Sequence, residues 1–289
     1  MKMPDILDSL PTELLHEILF SADPETLEEI HLRPGRRTEV VLRRKAVLLN
    51  YVSSQEDLRL LLEAATEHSM HTAQESLREG FCTTRDGCRI GIVGSVVRVD
   101  GNAQTIRDLS SINLRLAREV RGTAGQAMAF LRKKPASVLI VGSPGCGKTT
   151  LLRDLIRQIS DELGQRIGVA DTRYELGAVV HGVPQLYLGE RTDILSGGER
   201  EESMMLLLRT MNPRWIAVDE ITSAEDVQAM ERCACCGVHL LATAHAFDRR
   251  DFYRRPVYRN LVERAIFRYL IEMAPDGSYR METMEETDD

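Results

Sequence analysis

The sequence predicts an α/β domain over residues 122–289, built on a mostly parallel sheet with helices on both faces, and before it a smaller α+β domain over residues 1–121. Two observations predict the larger domain. Short apolar segments alternate there with helical ones, and a glycine-rich motif lies where one apolar segment passes into a helix. The first 121 residues differ, because one early helix is followed by strand-like and hairpin-like segments.

The elements of the first domain are predicted in order along the chain. A helix is expected over LPTELLHEILF, a strand over EVVLRRKAVLLN and a longer helix over SQEDLRLLLEAATEHSMHTAQESLREG. A hairpin-like pair follows in CTTRDGCRIGIVGSVVRVDG, where Asp86-Gly87 is typical of a turn. The segment REVRGTAGQAMAFLRKKPAS then predicts a linker and a helix that lead into the second domain.

Four segments of the second domain predict buried parallel strands: SVLIV, RIGVAD, RWIAVDE and VHLLATAH. Each is short and apolar, as expected for strands covered on both faces of a sheet. Helices are predicted over LLRDLIRQISDELG and REESMMLLLRTMN, and a last hairpin joins AIFRYLIEM to SYRMETM through Pro275–Ser278.

Composition narrows the classes of protein to which this chain can belong. Its 289 residues carry a net charge of −7, so it is not a basic nucleic-acid binder. No apolar run approaches the ~18–20 residues that span a bilayer. We therefore expect a cytoplasmic protein that reaches a membrane only through partners, with six reduced cysteines. The pair Cys233 and Cys236 is better explained by packing than by metal or redox chemistry, because no second pair accompanies it.

A phosphate-binding loop is predicted between SVLIV and the following helix, where the sequence fits G-x-x-x-x-G-K-[ST]. In such loops the backbone N–H groups and the helix N-terminus surround phosphate oxygens. The lysine reaches the β- and γ-phosphates of ATP, and the hydroxyl after it ligates Mg²⁺. The predicted ligand is therefore ATP with Mg²⁺, bound by Gly142, Ser143, Pro144, Gly145, Cys146, Gly147, Lys148, Thr149 and Thr150.

The strand RWIAVDE is the expected partner of this loop. Asp219 would hold Mg²⁺ together with Thr149, and Glu220 would polarise the water that attacks the γ-phosphate. An acidic pair after an apolar strand is a weak signal alone, and it becomes strong behind a phosphate-binding loop. The pair favours a hydrolase over a GTPase switch or a metabolite kinase.

Two further strand ends carry polar side chains, and each has two explanations. Asp171 and Glu175 follow RIGVAD, where an acid could order the attacking water or the Mg²⁺ shell, or could cap a helix or form a surface salt bridge. Thr243 and His245 end VHLLATAH, where they could contact the γ-phosphate, or where the histidine could be a core residue bonded to backbone.

The stretch LSGGEREE resembles the signature of ABC-transporter ATPases. In those proteins a helical subdomain separates the phosphate-binding loop from the signature. Only 48 residues separate Lys148 from Ser196 here, which leaves no room for it. We therefore expect a turn at Gly197-Gly198 and a helix start with acids in its first turn.

A different resemblance extends over nearly the whole chain. The stretch LRTMNPRWIAVDE resembles the RecA-like P-loop ATPase core of the type II/type IV secretion ATPases, as do the acidic box VADTRYE and the histidine box ATAHA. Within that superfamily, the phrases LEEIHLRPGRRTEVV, EGFCTTRDGCRIGIVGSVV, SSINLRLAREVRG and VADTRYELGAVVHGVPQLYLGERTDIL resemble the stage III sporulation protein AA family of spore-forming Firmicutes. Two departures are Thr172 within the acidic box and the Ser-Gly-Gly-Glu after TDIL.

The resemblance implies a hexameric ring of ATPase subunits, with nucleotide held between an N-terminal and a P-loop domain. It further implies a motor on the mother-cell side of a channel to the forespore, with membrane proteins of the stage III sporulation complex as partners. An arginine is then expected to neutralise the γ-phosphate. Arg115 and Arg118 are candidates by resemblance, and Arg191 in GERTDIL is a third. Glu175 is the candidate catalytic acid of the altered box.

A cluster of seven arginines and two acids between Arg249 and Arg268 leaves an alternative open. It fits a contact between subunits, or else a nucleic-acid-dependent translocase of RecA-like fold. We favour the contact, and expect no nucleic-acid partner, because no aromatic platform for single strands lies nearby.

Overall fold

The computed structural model of the protein describes residues 4–21, 26–42, 45–66, 74, 77–78, 80–99, 102–116, 120–180, 182–247 and 249–284. The chain divides into two compact units. The first contains Met1–Arg118 with Ala178–Gln185, and the second contains Glu119–Gly177 with Leu186–Asp289. The sequence did not predict that residues 178–185 belong with the first unit. Within the described ranges, no helix combines the length and the apolar character that crossing a bilayer requires.

The first unit is built on a six-stranded antiparallel sheet of order β3-β2-β1-β6-β5-β4. Its core is formed by apolar side chains such as Leu14, Ile30, Leu58 and Ile90, all fully buried. In chain order its elements are a 3-10 helix Asp5–Ser9, α1 Thr12–Ser21, β1 Leu27–Leu32, β2 Arg37–Leu42, β3 Lys45–Val52, α2 Gln55–Ala65, β4 Phe81–Thr83, β5 Arg89–Val99 and β6 Asn102–Arg115.

The structure revises one prediction for this unit and adds one strand. The single strand expected over EVVLRRKAVLLN is two antiparallel strands, β2 and β3, in which Val40 pairs with Val47. Strand β1 was missed, because LEEIHL carries polar residues between its buried positions. Helix α2 starts at a capping box formed by Ser54 and Asp57 and ends at Ala65. Much of the longer helix predicted there lies outside the described residues.

The second unit is an α/β fold on a seven-stranded sheet of order β11-β8-β12-β13-β7-β14-β15. Every neighbouring pair is parallel except β14 and β15, which form the predicted hairpin. From residue 120 onward the elements are α3 Gly125–Leu131, β7 Val138–Gly142, α4 Lys148–Glu162, β8 Ile167–Asp171, β9 Val179–Val180, β10 Val183–Pro184, β11 Thr192–Ser196, α5 Arg200–Thr210, β12 Trp215–Val218, α6 Ala224–Cys235, β13 His239–His245, α7 Arg249–Arg254, α8 Pro256–Glu263, β14 Tyr269–Met273 and β15 Tyr279–Thr283. The hairpin β9–β10 is the part assigned to the first unit.

Helices cover both faces of this sheet, as predicted. Alternate residues of β7 point to opposite faces, so Val138 and Ile140 pack with α3 and α4, while Leu139 and Val141 join the core under α5 and α6. The predicted α/β class is thus confirmed, and the four strands predicted as parallel are parallel.

Strand β11 changes the interpretation of the LSGGE stretch. Leu195 and Ser196 end this strand, which was not predicted, and Gly197-Gly198 form the turn into α5. Between Lys148 and Ser196 the described residues form one helix and four strands, and they contain no helical subdomain. The ABC-type alternative therefore fails on topology as well as on spacing.

Two neighbouring leucines on α5 test how this helix is held on the sheet. Leu207 is 3% exposed and packs against Gly168 of β8, whereas Leu206 is 42% exposed. We expect Leu207→Ala to lower the free energy of unfolding by about 2–5 kcal/mol, because it leaves a cavity in the core. The matched control Leu206→Ala should change it by about 0.5 kcal/mol or less. Urea unfolding followed by fluorescence of Trp215, the only tryptophan, measures both, and equal effects would contradict this packing.

Candidate functional site

The candidate site lies at the edge of the sheet where the parallel strands end. The register aligns Gly142 with His245, and Val218 with both Ala170 and Ala242. Strands β7, β8, β12 and β13 therefore present their carboxyl ends side by side. Ligands of open α/β sheets bind at this edge.

The glycine-rich loop connects β7 to α4 at this edge. Gly147 adopts a left-handed conformation, with φ of 101°, directly before the helix begins at Lys148. Such a conformation favours glycine and lets the loop turn tightly into the helix N-terminus. The first turn of α4 also contains Thr149 and Thr150, so the predicted motif occupies the predicted strand–loop–helix junction.

Lys148 folds back onto its own loop. Its ammonium donates to the carbonyl oxygens of Gly142 at 3.0 Å and Ser143 at 2.9 Å, and to His245 Nδ1 at 3.0 Å. The residue is 5% exposed, and burial lowers the pKa of the Lys148 ammonium. All three donors of the ammonium are therefore engaged by protein groups.

Thr149 and Asp219 meet as the sequence predicted. The Thr149 hydroxyl donates to Asp219 Oδ2 at 2.8 Å, and the hydroxyl of Thr243 donates to the other carboxylate oxygen. A hydroxyl beside a carboxylate fits Mg²⁺, which takes oxygen ligands and retains several waters. Thr149 and Asp219 would thus hold the ion.

Glu220 follows Asp219 in a strained conformation. Its φ is 57°, in the left-handed region that side chains other than glycine rarely adopt, which costs on the order of 1–3 kcal/mol. Two hydrogen bonds to the neighbouring strand hold it there: Glu220 N donates to Thr243 Oγ1, and Ile221 N donates to Thr243 O, each at 2.8 Å.

The Glu220 carboxylate lies between two cationic or polar partners. His245 Nε2 is 2.9 Å from Glu220 Oε1, and Arg173 forms an ion pair with the other oxygen. Burial alone would raise the pKa of Glu220, but the hydrogen bond from His245 and the charge of Arg173 outweigh it and lower that pKa. The carboxylate is therefore held in its ionised form.

His245 connects Lys148 to Glu220. Because an ammonium can only donate, Nδ1 of the imidazole must accept from Lys148. In the neutral ring the proton then sits on Nε2, which donates to Glu220. Of the two explanations of His245 that the sequence left open, the structure thus favours a residue of this edge over a core histidine bonded to backbone.

Asp171 serves the loop that follows β8. Its carboxylate, 2% exposed, accepts from the backbone N–H groups of Glu175 at 2.8 Å, Leu176 at 3.1 Å and Gly177 at 2.8 Å. Burial raises the pKa of Asp171, and the three N–H groups offset part of this rise. The structure thus places Asp171 as the residue that organises its loop, while Arg153 donates to the carbonyl oxygens of Glu175 and Leu176.

Of the candidate arginines, the structure locates only Arg191 relative to this edge. Arg191 precedes β11, whose first residue pairs with the first residue of β8, so it lies at the opposite edge of the sheet from the glycine-rich loop. Arg115 ends β6 in the first unit, where its guanidinium lies 3.5 Å from Glu29. Arg118 lies outside the described residues.

Two arginines at the site were not assigned a role from the sequence. Arg173 pairs with Glu220, and Arg200 donates to the Asp219 carbonyl oxygen at 2.9 Å. The sequence did contain a signal for Arg200. A cation in the first turn of a helix opposes the helix dipole, so an arginine at this position indicates a stabilising partner outside the helix.

The cysteines of the CACC segment differ in burial. Cys233 is buried, and this burial raises the pKa of its thiol to about 11, while Cys235 and Cys236 are exposed. Within the described ranges, no three His, Cys, Asp or Glu side chains are grouped so that they could hold a metal ion. Cys233 therefore packs in the core as predicted, whereas the packing predicted for Cys236 is wrong, because its side chain is exposed.

Comparison with known proteins agrees with this geometry. The sequence profile of the family described as "Sporulation stage III, protein AA" matches residues 4–282. Stage III sporulation protein AA of Bacillus subtilis (strain 168) is 35% identical over 278 residues, which cover 93% of this chain and 90% of that protein.

Two solved structures share the fold at low identity. The ATPase DotB of Yersinia pseudotuberculosis has a TM-score of 0.64 at 14% identity, over 97% of this chain and 81% of that one. The pilus retraction motor PilT, solved with bound ADP, has a TM-score of 0.63 at 16% identity, over 94% of this chain and 83% of that one. The RecA-like core predicted for the second domain is thereby confirmed as a fold.

The three hydrogen bonds to Asp171 predict a local effect of substitution. In Asp171→Asn one acceptor oxygen becomes an NH₂ group, which cannot accept from a backbone N–H. A buried donor left without a partner costs ~1–3 kcal/mol, so we expect hydrogen exchange at residues 175–177 to accelerate about 10-fold or more. Asp193→Asn on neighbouring β11 is the control with the same change of charge. Unaltered exchange at residues 175–177 in Asp171→Asn would contradict this role.

Proposed function

The chain belongs to the sporulation stage III protein AA family, and from that premise we propose that it is a Mg²⁺-dependent ATPase of the secretion-ATPase type. One observation carries the proposal. The glycine-rich loop, Asp219 and Glu220 meet at the carboxyl edge of one parallel sheet, with Thr149 hydrogen-bonded to Asp219 at 2.8 Å. The shared fold with DotB and PilT supports the same class of activity.

ATP would bind with its phosphates in the loop between β7 and α4. The loop N–H groups and the N-terminus of α4 would surround the phosphate oxygens. Lys148 would leave the carbonyl oxygens of Gly142 and Ser143 and its bond to His245, because phosphate offers a charged acceptor in their place.

Hydrolysis would use Glu220 as the group that accepts a proton from the attacking water. The water oxygen forms a bond to the γ-phosphorus while the bond to the bridging oxygen breaks, giving ADP and phosphate. The lowered pKa of Glu220 keeps the carboxylate ionised before the step. Thr149 and Asp219 would hold Mg²⁺, which supplies charge neutralisation at the phosphates.

Assembly into a hexameric ring is part of the proposal. Arg191 lies at the far edge of its own sheet, so it would act on the nucleotide of a neighbouring copy. Arg115 and Arg118 remain the other candidates for this contribution, and Glu175 remains a candidate acid near the nucleotide. An arginine from a second copy would neutralise charge at the γ-phosphate only in the assembled ring.

The cellular role follows from the family. We propose a cytoplasmic motor on the mother-cell side that energises a channel to the forespore. Its partners would be membrane proteins of the stage III sporulation complex, and its membrane contact would run through them.

A nucleic-acid-dependent ATPase is the alternative, favoured only by the arginines between Arg249 and Arg268. Two of them have acidic partners within the fold, since Arg255 pairs with Asp251 at 2.9 Å and Arg264 with Glu231. DNA binding that weakens with salt and stimulates hydrolysis would favour this alternative. Stimulation by soluble fragments of the membrane partners, and by no nucleic acid, would favour the secretion-type motor.

Replacing the proposed base separates nucleotide binding from hydrolysis. Glu220→Gln should bind ATP with unchanged affinity and lose about 10²-fold or more in kcat, because its amide cannot accept the proton. Phosphate release and binding of a fluorescent ATP analogue measure the two effects. Glu225→Gln, an exposed position on α6, is the matched control and should behave as wild type. Full turnover by Glu220→Gln would remove Glu220 from its assigned role.

Replacing the lysine of the loop tests the phosphate site itself. Lys148→Ala removes the charge that would contact the β- and γ-phosphates, so ATP binding should be lost in the same assay. Wild-type affinity in Lys148→Ala would place nucleotide binding elsewhere.

A further inference from the structure

We propose that Arg200 is a positioning residue for hydrolysis: it braces the turn after β12 and so fixes the direction in which Glu220 points. This inference rests on the proposed ATPase function. It assigns a role to Arg200 of the LSGGER segment, a residue that the proposed phosphate site does not use.

The turn of residues 219–222 needs support on two sides. Its backbone turns sharply at Glu220, where φ is 57°. On one side, Thr243 of β13 accepts from the N–H groups of Glu220 and Ile221. These bonds fix the N–H groups of the turn, and they leave the Asp219 carbonyl oxygen to another partner.

Arg200 provides the second side. Its Nε donates to the Asp219 carbonyl oxygen at 2.9 Å, and its Nη1 donates to the Thr222 hydroxyl at 3.2 Å. The guanidinium therefore joins the residue before Glu220 to a residue after it. Nη1 also lies 3.5 Å from Asp226 Oδ2, and the side chain is only 16% exposed. A planar guanidinium with diverging donors suits such a bridge, whereas a lysine offers a single point of charge.

The local sequence before α5 positions Arg200 next to the turn of residues 219–222. Gly197 and Gly198 have φ of 75° and 72°, and Gly197 N donates to the Asp171 carbonyl oxygen at 3.2 Å. A Cβ on Gly197 would lie 2.9 Å from the Tyr174 hydroxyl, so the turn passes close to the end of β8. Helix α5 consequently begins beside the end of β12, with Arg200 as its first residue.

The position of Arg200 is unfavourable for the helix alone. A cation in the first turn opposes the positive end of the helix dipole, and Glu201 and Glu202 in the same turn are the residues that suit it. The contacts with Asp219 and Thr222 account for a residue that α5 by itself would disfavour.

A structural link between α5 and α6 is the rival explanation, since Arg200 also approaches Asp226 of α6. Arg232 provides the comparison. It bridges the same two helices through Glu201 at 3.8 Å and is exposed, and this ion-pair partner belongs to α5 and not to the turn. A variant at Arg232 therefore changes an α5–α6 ion pair and leaves the bonds to Asp219 and Thr222 in place.

The test compares kcat and KM for Mg²⁺-ATP in full-length wild type, Arg200→Lys, Thr222→Val and Arg232→Lys. Arg200→Lys keeps the charge and loses the bridge, so kcat should fall about 10- to 100-fold while KM stays within about 2-fold, as expected when a reacting group is misplaced. Thr222→Val removes one acceptor and should lower kcat in the same direction by a smaller factor. Arg232→Lys should match wild type.

The outcomes separate the inference from the function on which it rests. Wild-type kcat in Arg200→Lys would overturn the role of Arg200 and leave the ATPase proposal standing. A fall in kcat matched by a fall in Tm and a rise in KM would also overturn it, in favour of a purely structural link. If Arg200→Lys does not fold, Thr222→Val decides, because wild-type kcat in that folded variant would refute the bridge. Absence of hydrolysis by wild type in the presence of its assembled ring would overturn the proposed function itself.

Discussion

Parallel pairing of β8, β12, β13 and β7 is the constraint on which the rest of the site depends. These strands end at or directly before an aspartate, a histidine or a glycine-rich turn, and none of these features defines a site by itself. Because their carboxyl ends share one edge, Thr149 reaches Asp219 at 2.8 Å although 70 residues separate them in the chain. A shift of one strand by a single residue would turn every side chain of that strand to the other face.

At this edge, Lys148 connects the glycine-rich loop to Glu220 through His245. The Lys148 ammonium donates to two carbonyl oxygens and to His245, and His245 in turn donates to Glu220. A phosphate bound in the loop would compete for the Lys148 ammonium. His245, which donates to Glu220, would then lose Lys148 as its other hydrogen-bond partner. The glycine-rich loop and the acidic pair are thereby connected by two hydrogen bonds through one imidazole, while Thr243 and Arg200 hold the backbone of the turn.

The parts of the site that could be predicted are those encoded locally. The loop from Gly142 to Thr150 and the pair Asp219-Glu220 depend on short motifs at strand ends, and the structure brings them together. The partners of Arg173 and Arg200 could not be assigned, because they lie 47 and 19 residues away and no pattern encodes those distances. Strand β11 was missed because TDILS is the outermost strand of the sheet and is only partly buried. The position of Arg191 was missed for the same reason, since Arg191 directly precedes β11 at the end of the sheet that lies away from the glycine-rich loop. In the first unit, β2 and β3 read as one strand in EVVLRRKAVLLN because apolar residues lie close to Arg43-Arg44 on both sides.

Whether neighbouring copies share active sites can be measured as phosphate release from Mg²⁺-ATP against protein concentration, with native mass determined in the same samples. We expect the rate per chain to rise with concentration together with the appearance of a hexamer, because an arginine of one copy would complete the site of the next. A rate per chain that is constant from monomer to hexamer would contradict shared active sites. Hexamers that bind ATP and release no phosphate would contradict hydrolysis at the edge formed by Lys148, Asp219 and Glu220.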